Sequence, residues 1–293
     1  MNRPIGVFDS GIGGLSVLRA LQKELPNEAF VYLADNAHAP YGEKSEAFVS
    51  QRTLAIADYL LTHHHIKALV VACNTATAAA IHGLRALHPA LPIVGVEPAL
   101  KPALAISQTR RIGVMATRGT VGSEKFARLL ASVQGQAEFV VKACNGLALA
   151  IEQSTLPDRV EVAQQDIAQL LKTYTEAMGR FGNQPGEIDT LVLGCTHYVF
   201  VESALQDLLG PQVQMVSTGE PVARQTRRLL EMADLLSQDG TSTKQSTRLL
   251  TTGDLESLQA AAQRWLGLPS QACQAATLYV HGDQQDQAQD KQQ

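Results

Sequence analysis

The sequence predicts an α/β fold with parallel sheets, arranged as two related halves. Short apolar segments alternate with helical segments along almost all of the 293 residues, as in chains built from βα units. These segments are almost continuously apolar, which is typical of strands covered on both faces. Two pairs of segments also repeat each other's pattern, which predicts two similar halves.

Nine strands are expected from the apolar runs, in the order in which the chain presents them. They are residues 5–8, 30–34, 68–72, 93–96, 112–116, 139–141, 191–194, 213–216 and 248–251. Among the helices between them, the clearest are residues 45–61, 158–178 and 220–236. The last two begin with Pro-Asp and Glu-Pro, which are typical of helix starts.

The repeats place similar turns at similar points of the two halves. IGVFDSGIGGLSVLRALQ at residues 5–22 is matched by IGVMATRGTVGSEKFARLL at 112–130, and LVVACNTAT at 69–77 is matched by LVLGCTHYV at 191–199. Each segment is a strand that runs into a turn of small and polar residues and then a helix. Because ligands bind beyond the carboxyl ends of parallel strands, two facing halves would bring all four turns to one cleft.

Composition excludes several classes of protein. The length suits about two domains, and 45% hydrophobic with 18% charged residues indicates a folded chain. A net charge of −4 argues against nucleic-acid binding. No apolar run is long enough to span a membrane, and the first residues lack a signal sequence. Four scattered cysteines without a C-x-x-C pair predict a reduced, cytoplasmic protein with no disulfide and no metal site.

Two of the cysteines, Cys73 and Cys195, occupy the same place in the two halves. A lone cysteine is usually a small buried hydrophobe. Here each one ends a strand and precedes a predicted helix, whose N-terminus would lower the pKa of a thiol. This repetition favours a functional role for both, whereas Cys144 and Cys273 have no such context and are expected to be structural.

The glycine-rich turn at residues 9–14, Asp-Ser-Gly-Ile-Gly-Gly, follows the first strand. Its spacing fits no nucleotide-binding motif, and the Asp9 carboxylate would repel a phosphate. We expect the glycines to let the backbone approach a small carboxylate, with Asp9 acting as a base or orienting one. Helix capping by Asp9 or Ser10 is the alternative.

Three further residues are candidates on similar grounds. His197 lies two positions after Cys195 and could polarise its thiol, although a lone histidine is more often structural. Thr117 and Thr120 occupy the part of the second half that corresponds to the glycine-rich turn. They could donate hydrogen bonds to a carboxylate or cap a helix.

Four motifs in this order resemble the cofactor-independent aspartate/glutamate racemase family. They are DSGxGG at 9–14, PYG at 40–42, ACNTAT at 72–77 and GCTHY at 194–198. The resemblance implies two flavodoxin-like domains related by pseudo-symmetry, with the active site in the cleft between them. Residues 1–97 and 208–281 would form the first domain, residues 98–207 the second, and residues 282–293 a disordered polar tail.

The resemblance also implies roles for individual residues. Cys73 and Cys195 would flank the substrate α-carbon, with Asp9 and His197 as their acid–base assistants and Glu152 as a further one near the second cysteine. The implied substrate contacts are Asp9, Ser10, Tyr41, Gly42, Asn74, Thr75, Thr117, Thr120 and Thr196.

This family's activity would be racemisation of glutamate without a cofactor, supplying D-glutamate for peptidoglycan, by a protein that is often a homodimer. Removing a weakly acidic α-proton and returning one to the opposite face suits two opposed thiols that exchange roles. Two alternatives remain open on the residues. One is a racemase of the same family acting on aspartate or another amino acid. The other is a protein that binds an amino acid without converting it.

Overall fold

Ten strands form two parallel sheets in the part of the chain that the computed structural model describes, residues 3–237 and 246–278. In chain order the strands are β1 (Ile5–Asp9), β2 (Phe30–Ala34), β3 (Ala68–Val71), β4 (Ile93–Gly95), β5 (Arg111–Ala116), β6 (Glu138–Ala143), β7 (Thr190–Gly194), β8 (Gln214–Val216), β9 (Thr247–Thr251) and β10 (Cys273–Ala275). The first sheet has the order β10-β9-β2-β1-β3-β4 and the second β6-β5-β7-β8. Every pairing is parallel, which confirms the predicted class.

The strand orders explain the sequence repeats. The four strands β2-β1-β3-β4 of the first sheet have the same order as all four strands of the second. In this correspondence β1 matches β5 and β3 matches β7, and these are the strands that begin the repeated segments. We call the first sheet with its helices the first domain, and the second sheet with its helices the second domain.

Eleven α-helices connect the strands of the described residues. They are α1 (Leu15–Glu24), α2 (Glu46–His64), α3 (Asn74–Leu87), α4 (Leu100–Ile106), α5 (Arg118–Val121), α6 (Glu124–Ala131), α7 (Leu147–Gln153), α8 (Val160–Met178), α9 (Glu202–Leu209), α10 (Gly219–Met232) and α11 (Leu255–Leu266). The three predicted helices are confirmed, although α10 ends at Met232 and not at residue 236. Side-chain caps fix several starts, such as Ser45 at α2 and Asp254 at α11.

Both sheets are covered on two faces, which is why their central strands are so apolar. Along β1, Ile5 and Val7 pack under α1, α10 and α11, while Phe8 packs on the opposite face under α2 and α3. The second sheet carries α7, α8 and α9 on one face and α4 and α6 on the other. Strands β1, β2, β3 and β7 are buried at every residue.

All nine predicted strands are present, with ends that differ by at most two residues, but the tenth was missed. Strand β10 has three residues, two of them exposed, so it carries no apolar run that a sequence could reveal. Strand β8 pairs with β7 in the second sheet, whereas the expected division assigned residues 208–281 to the first. The division into domains otherwise stays a proposal, and the predicted tail at 282–293 lies outside the described residues.

Within residues 3–237 and 246–278, no helix combines the length and the apolar character needed to cross a membrane.

Candidate active site

The turns after β1 and β7 meet where the two domains face each other. Asp9, fully buried, accepts hydrogen bonds from the Ser10 backbone N–H (2.6 Å) and hydroxyl (3.1 Å). Its other oxygen accepts from the Thr196 hydroxyl of the second domain at 2.9 Å. Burial raises the pKa of Asp9, although His197 and the Thr196 hydroxyl oppose this shift.

The glycines of the 9–14 turn make room for the second domain, which the sequence did not indicate, and their expected approach to a ligand carboxylate stays a prediction. A Cβ atom at Gly11 would overlap the Glu152 carboxylate, and one at Gly13 would overlap the His197 ring and the Thr196 hydroxyl. Between these glycines, the Ile12 N–H donates to Glu152 Oε1 at 2.7 Å. The backbone of this turn therefore approaches one carboxylate of the protein itself, that of Glu152.

Cys73 ends the strand region of β3 and caps α3. Its sulfur accepts from the Ala76 N–H at 3.5 Å and lies 3.8 Å from the Ser10 hydroxyl oxygen. Burial, and next the charge of Asp9, raise the pKa of this thiol well above its ordinary value, and the nearby Cys195 adds to the shift. In the closed site Cys73 therefore holds its proton at neutral pH.

Cys195 begins a chain of contacts that runs across the second domain and ends in the first. Its sulfur lies 3.6 Å from His197 Nδ1, and His197 Nε2 lies 2.5 Å from Glu152 Oε1. The same Glu152 accepts from the Ile12 N–H and, at 3.3 Å, from Asn36. The structure thus places His197 and Glu152 beside Cys195, and Asp9 and Ser10 beside Cys73.

Hydroxyl groups form a second cluster between the turns after β3 and β5. The Thr75 and Thr117 hydroxyl oxygens lie 3.0 Å apart across the domain boundary, and Thr117 lies 2.9 Å from the Thr120 hydroxyl. Thr117 also caps α5, which confirms the capping alternative, and a hydrogen bond from these hydroxyls to a ligand carboxylate stays a prediction. Asn74 is buried, and neither its amide oxygen nor its amide nitrogen has a hydrogen-bond partner among the residues described. Such a group is expected to bind a polar ligand.

Two residues of the PYG motif face other parts of the protein. The Tyr41 hydroxyl donates its hydrogen bond to Asp35. Gly42 packs against Thr117, where a Cβ atom would lie 2.6 Å from the threonine Cβ.

The sequence did not indicate Asp35, Arg52 and Thr252, which form a buried polar cluster behind Tyr41. Arg52 donates to both carboxylate oxygens of Asp35, at 3.0 and 2.7 Å, and Thr252 donates at 2.7 Å. One local signal existed: Asp35 and Thr252 each directly follow a strand, and Asp9 is the last residue of one.

The two cysteines are almost closed off from solvent. Cys73 is 5% exposed and Cys195 is 6% exposed. Access of a substrate to the two sulfurs therefore requires the site to open. In the described ranges, no group of three or more His, Cys, Asp or Glu side chains is placed to hold a metal ion.

The family model for Asp/Glu/hydantoin racemases matches residues 5–226. The chain belongs to this family. This racemase is 45% identical over 264 residues to the glutamate racemase of Ralstonia pickettii, covering 90% of this chain and 88% of that one. It is 44% identical to the glutamate racemase of Ectopseudomonas mendocina, covering 92% and 96%. The predicted family and the predicted enzyme class, an amino-acid racemase, are confirmed.

Solved structures give the same result for the fold of the racemase. A glutamate racemase of Bacillus anthracis aligns with a TM-score of 0.79 at 31% identity, covering 94% of this chain and 97% of that one. Glutamate racemase of Escherichia coli, described in complex with L-glutamate and the activator UDP-MurNAc-Ala, also aligns at 0.79, with 30% identity and 94% and 99% coverage. The cleft between two parallel-sheet domains is therefore shared with known racemases.

His197 of the racemase is expected to be protonated at pH 7. Burial alone would lower its pKa, but hydrogen bonds to Cys195 and Glu152 and the charge of Glu152 raise it well above its ordinary value. Because folding raises this pKa, protonation stabilises the fold fully below the ordinary value of about 6.5. That contribution is lost as the pH rises through the folded-state pKa.

Nitrogen-15 NMR of the imidazole ring across a pH series measures this directly. Glu152→Gln should move the titration midpoint of His197 to lower pH. A wild-type ring that titrates near pH 6.5 would contradict the expectation.

Proposed function

We propose that this racemase interconverts L- and D-glutamate without a cofactor, by proton transfer between the substrate α-carbon and two cysteines. The observation that carries the proposal is that Cys73 and Cys195 follow corresponding strands of two facing domains. Cys73 lies beside Ser10, which is hydrogen-bonded to Asp9, and Cys195 lies beside His197. Support for glutamate as the substrate comes from the relatives, which are named glutamate racemases. No observation on this chain favours aspartate.

The proton transfer would proceed in the same way in both directions. One sulfur, as thiolate, takes the α-proton, and the other, as thiol, donates its proton to the opposite face of the planar intermediate. The enzyme then holds the reversed protonation state and must exchange a proton before the next identical turnover. His197, protonated at pH 7, can give its proton to the Cys195 thiolate and take it back, and Asp9, whose pKa is raised by burial, can exchange the proton of Cys73 through Ser10.

Binding of two substrate carboxylates would use the polar groups around the cysteines. The first turn of α3 offers backbone N–H groups, which favour anions at a helix N-terminus. The Asn74 amide and the Thr75, Thr117 and Thr120 hydroxyls lie beside it. Donors held in a buried site stabilise the negative charge that develops on the α-carboxylate as the proton leaves.

Incubation with L-glutamate in D₂O, without pyridoxal phosphate, tests the proposal. We expect loss of optical rotation and entry of deuterium at the α-carbon, with an equilibrium constant near one because the products are enantiomers. A parallel sample with L-aspartate tests the alternative substrate. Deuteration of aspartate alone would overturn glutamate as the substrate, and no exchange in either sample at high enzyme concentration would overturn catalysis.

Asn74→Ala is expected to raise the KM for both enantiomers about 10- to 100-fold, because a buried hydrogen bond to a charged group is lost. The melting temperature should change little, since Asn74 has no partner in the described part of the protein. Steady-state kinetics with both enantiomers and a thermal melt measure these effects. An unchanged KM would show that the amide does not bind substrate.

The cellular role is proposed on the resemblance: D-glutamate from this reaction would supply peptidoglycan synthesis in the cytoplasm. The four cysteines are all free, as proteins of a reducing compartment require. The homodimer is likewise proposed on the resemblance, and sedimentation equilibrium would test it.

A further inference from the structure

A buried ion pair outside the cysteine site holds the loop that joins the two domains over that site. Asp35 follows β2, and its side chain is fully buried. Arg52 on α2, with a side chain 5% exposed, donates two hydrogen bonds to it. The Tyr41 and Thr252 hydroxyls also donate to Asp35, and His38 Nδ1 lies 3.2 Å from it.

These contacts tie down the segment of residues 36–43, which we call the clamp loop. It consists of two short 3₁₀ helices, Asn36–His38 and Tyr41–Glu43. Burial of Asp35 opposes its ionisation, but the hydrogen bonds and charge of Arg52 outweigh this and hold the pKa of Asp35 below its ordinary value. The carboxylate is therefore charged at neutral pH. Its hydrogen bonds hold the clamp loop against the first domain.

On its other side the clamp loop contacts three separate segments of the second domain. Asn36 donates to Glu152 at 3.3 Å, and Gly42 packs against Thr117. Glu43 accepts from the Gly146 N–H at 2.9 Å, and its carbonyl accepts from Arg118 at 3.3 Å. The loop therefore bridges the domains, while the side-chain hydrogen bonds of Asp35 and Arg52 in the described part of the chain all stay within the first domain.

We propose that Asp35 and Arg52 are positioning residues, which hold the clamp loop against the second domain and so keep the cleft closed over Cys73 and Cys195. The inference rests on the proposed function in one respect: the expected change in substrate affinity presupposes that the protein binds glutamate. The cysteines are buried where the two domains meet, so we expect the closed form to be the one that holds the substrate. The apparent affinity for substrate then falls when the closed form is less populated. Loosening the loop should favour the open cleft and weaken substrate binding, with less effect on the chemical step.

The variants Arg52→Gln, Arg52→Lys and Glu43→Ala test the proposal, with Lys67→Gln as the matched control. Lys67 and Glu28 form a second buried ion pair, 2.6 Å apart, with side chains 4% and 2% exposed. They precede β3 and β2, so they lie at the amino edge of the first sheet, away from the cysteines. Loss of either buried pair should destabilise the protein, but only loss of the Arg52 pair should affect the cleft.

The first readout is the rate of alkylation of Cys73 and Cys195 by iodoacetamide, followed by peptide mass spectrometry well below the melting temperature. Arg52→Gln should raise both rates about tenfold or more, because a buried charged hydrogen bond is lost. Arg52→Lys, which keeps the charge but not the two-pronged geometry, should be intermediate. Lys67→Gln should leave both rates near those of the wild type.

The second readout is steady-state kinetics with glutamate. Arg52→Gln should raise KM more than it lowers kcat, and Lys67→Gln should change neither KM nor kcat. Glu43 is exposed, so Glu43→Ala folds even if Arg52→Gln does not, and about a two- to fivefold faster alkylation is expected for loss of one exposed hydrogen bond.

Equal alkylation rates in Arg52→Gln and Lys67→Gln would overturn the proposal, as would an unchanged rate in Glu43→Ala. Alkylation needs no turnover. A wild type that fails to exchange deuterium into glutamate would therefore overturn the proposed function and leave the alkylation test of the clamp loop intact.

Discussion

Replacing Cys73 or Cys195 by alanine is expected to lower racemisation about 10²- to 10⁴-fold in both directions, the range for loss of a general acid or base. Each direction needs both groups, because one removes the α-proton and the other returns a proton to the opposite face. Each variant should therefore lose activity toward both enantiomers. Polarimetry with each enantiomer, together with α-deuteration in D₂O, measures the loss.

Replacing Cys73 or Cys195 by serine should lower racemisation nearly as much as replacing it by alanine. The serine hydroxyl is a far weaker acid than a thiol, whose ordinary pKa is about 8.5. Cys144→Ala and Cys273→Ala are the controls, since both residues are buried and free but, among the described residues, neither sulfur contacts Ser10 or His197 as those of Cys73 and Cys195 do. Substantial racemisation by either alanine variant of Cys73 or Cys195 would exclude the two-thiol mechanism even in an active racemase.

Gly13→Ala is expected to lower racemisation about 100-fold, the scale of a 1 Å misplacement in an active site. The added Cβ atom would overlap His197 at Nδ1, the atom nearest the Cys195 sulfur, and also the Thr196 hydroxyl that donates to Asp9. One methyl group would thus displace the assisting groups of both cysteines. Overpacking of this buried contact should also destabilise the fold by about 1–3 kcal/mol.

Gly83→Ala provides the matched control for the same chemical change. Gly83 lies inside α3, and a Cβ atom there would meet nothing within 4 Å. Alanine in a helix interior is favoured over glycine by about 0.8–1 kcal/mol. This variant should therefore melt higher with unchanged kinetics, and a Gly13→Ala enzyme as active as Gly83→Ala would show that the close contact is not needed.

The sequence by itself determined the class of fold and the family. Central strands of a parallel sheet are buried on both faces, so they appear as continuous apolar runs that need no partner to be recognised. The positions of Cys73 and Cys195 at corresponding strand ends were also readable, because strand, turn and helix are local in the chain. Even the equivalence of β1 with β5 and of β3 with β7 was present in the repeats.

The tertiary structure alone decided how those strand ends meet. Ile12 and Glu152 are 140 positions apart, and Thr196 and Asp9 are 187 apart. No local pattern indicates such contacts, so the packing of the glycines of the first turn against Glu152 and His197 was not predicted. Strand β10 was missed for a related reason: it pairs only with β9 at a sheet edge, and two of its three residues are exposed.

The buried cluster around Asp35 shows most clearly the difference between what the local sequence determines and what tertiary packing decides. A charged aspartate is tolerated there because Arg52, Tyr41 and Thr252 come together around it, from as far as 217 positions along the chain. The sequence determined the residue types and the strand ends, since these depend on local burial and periodicity. Which of those ends would join into one closed site depended on packing between distant segments, and only the folded chain decides that.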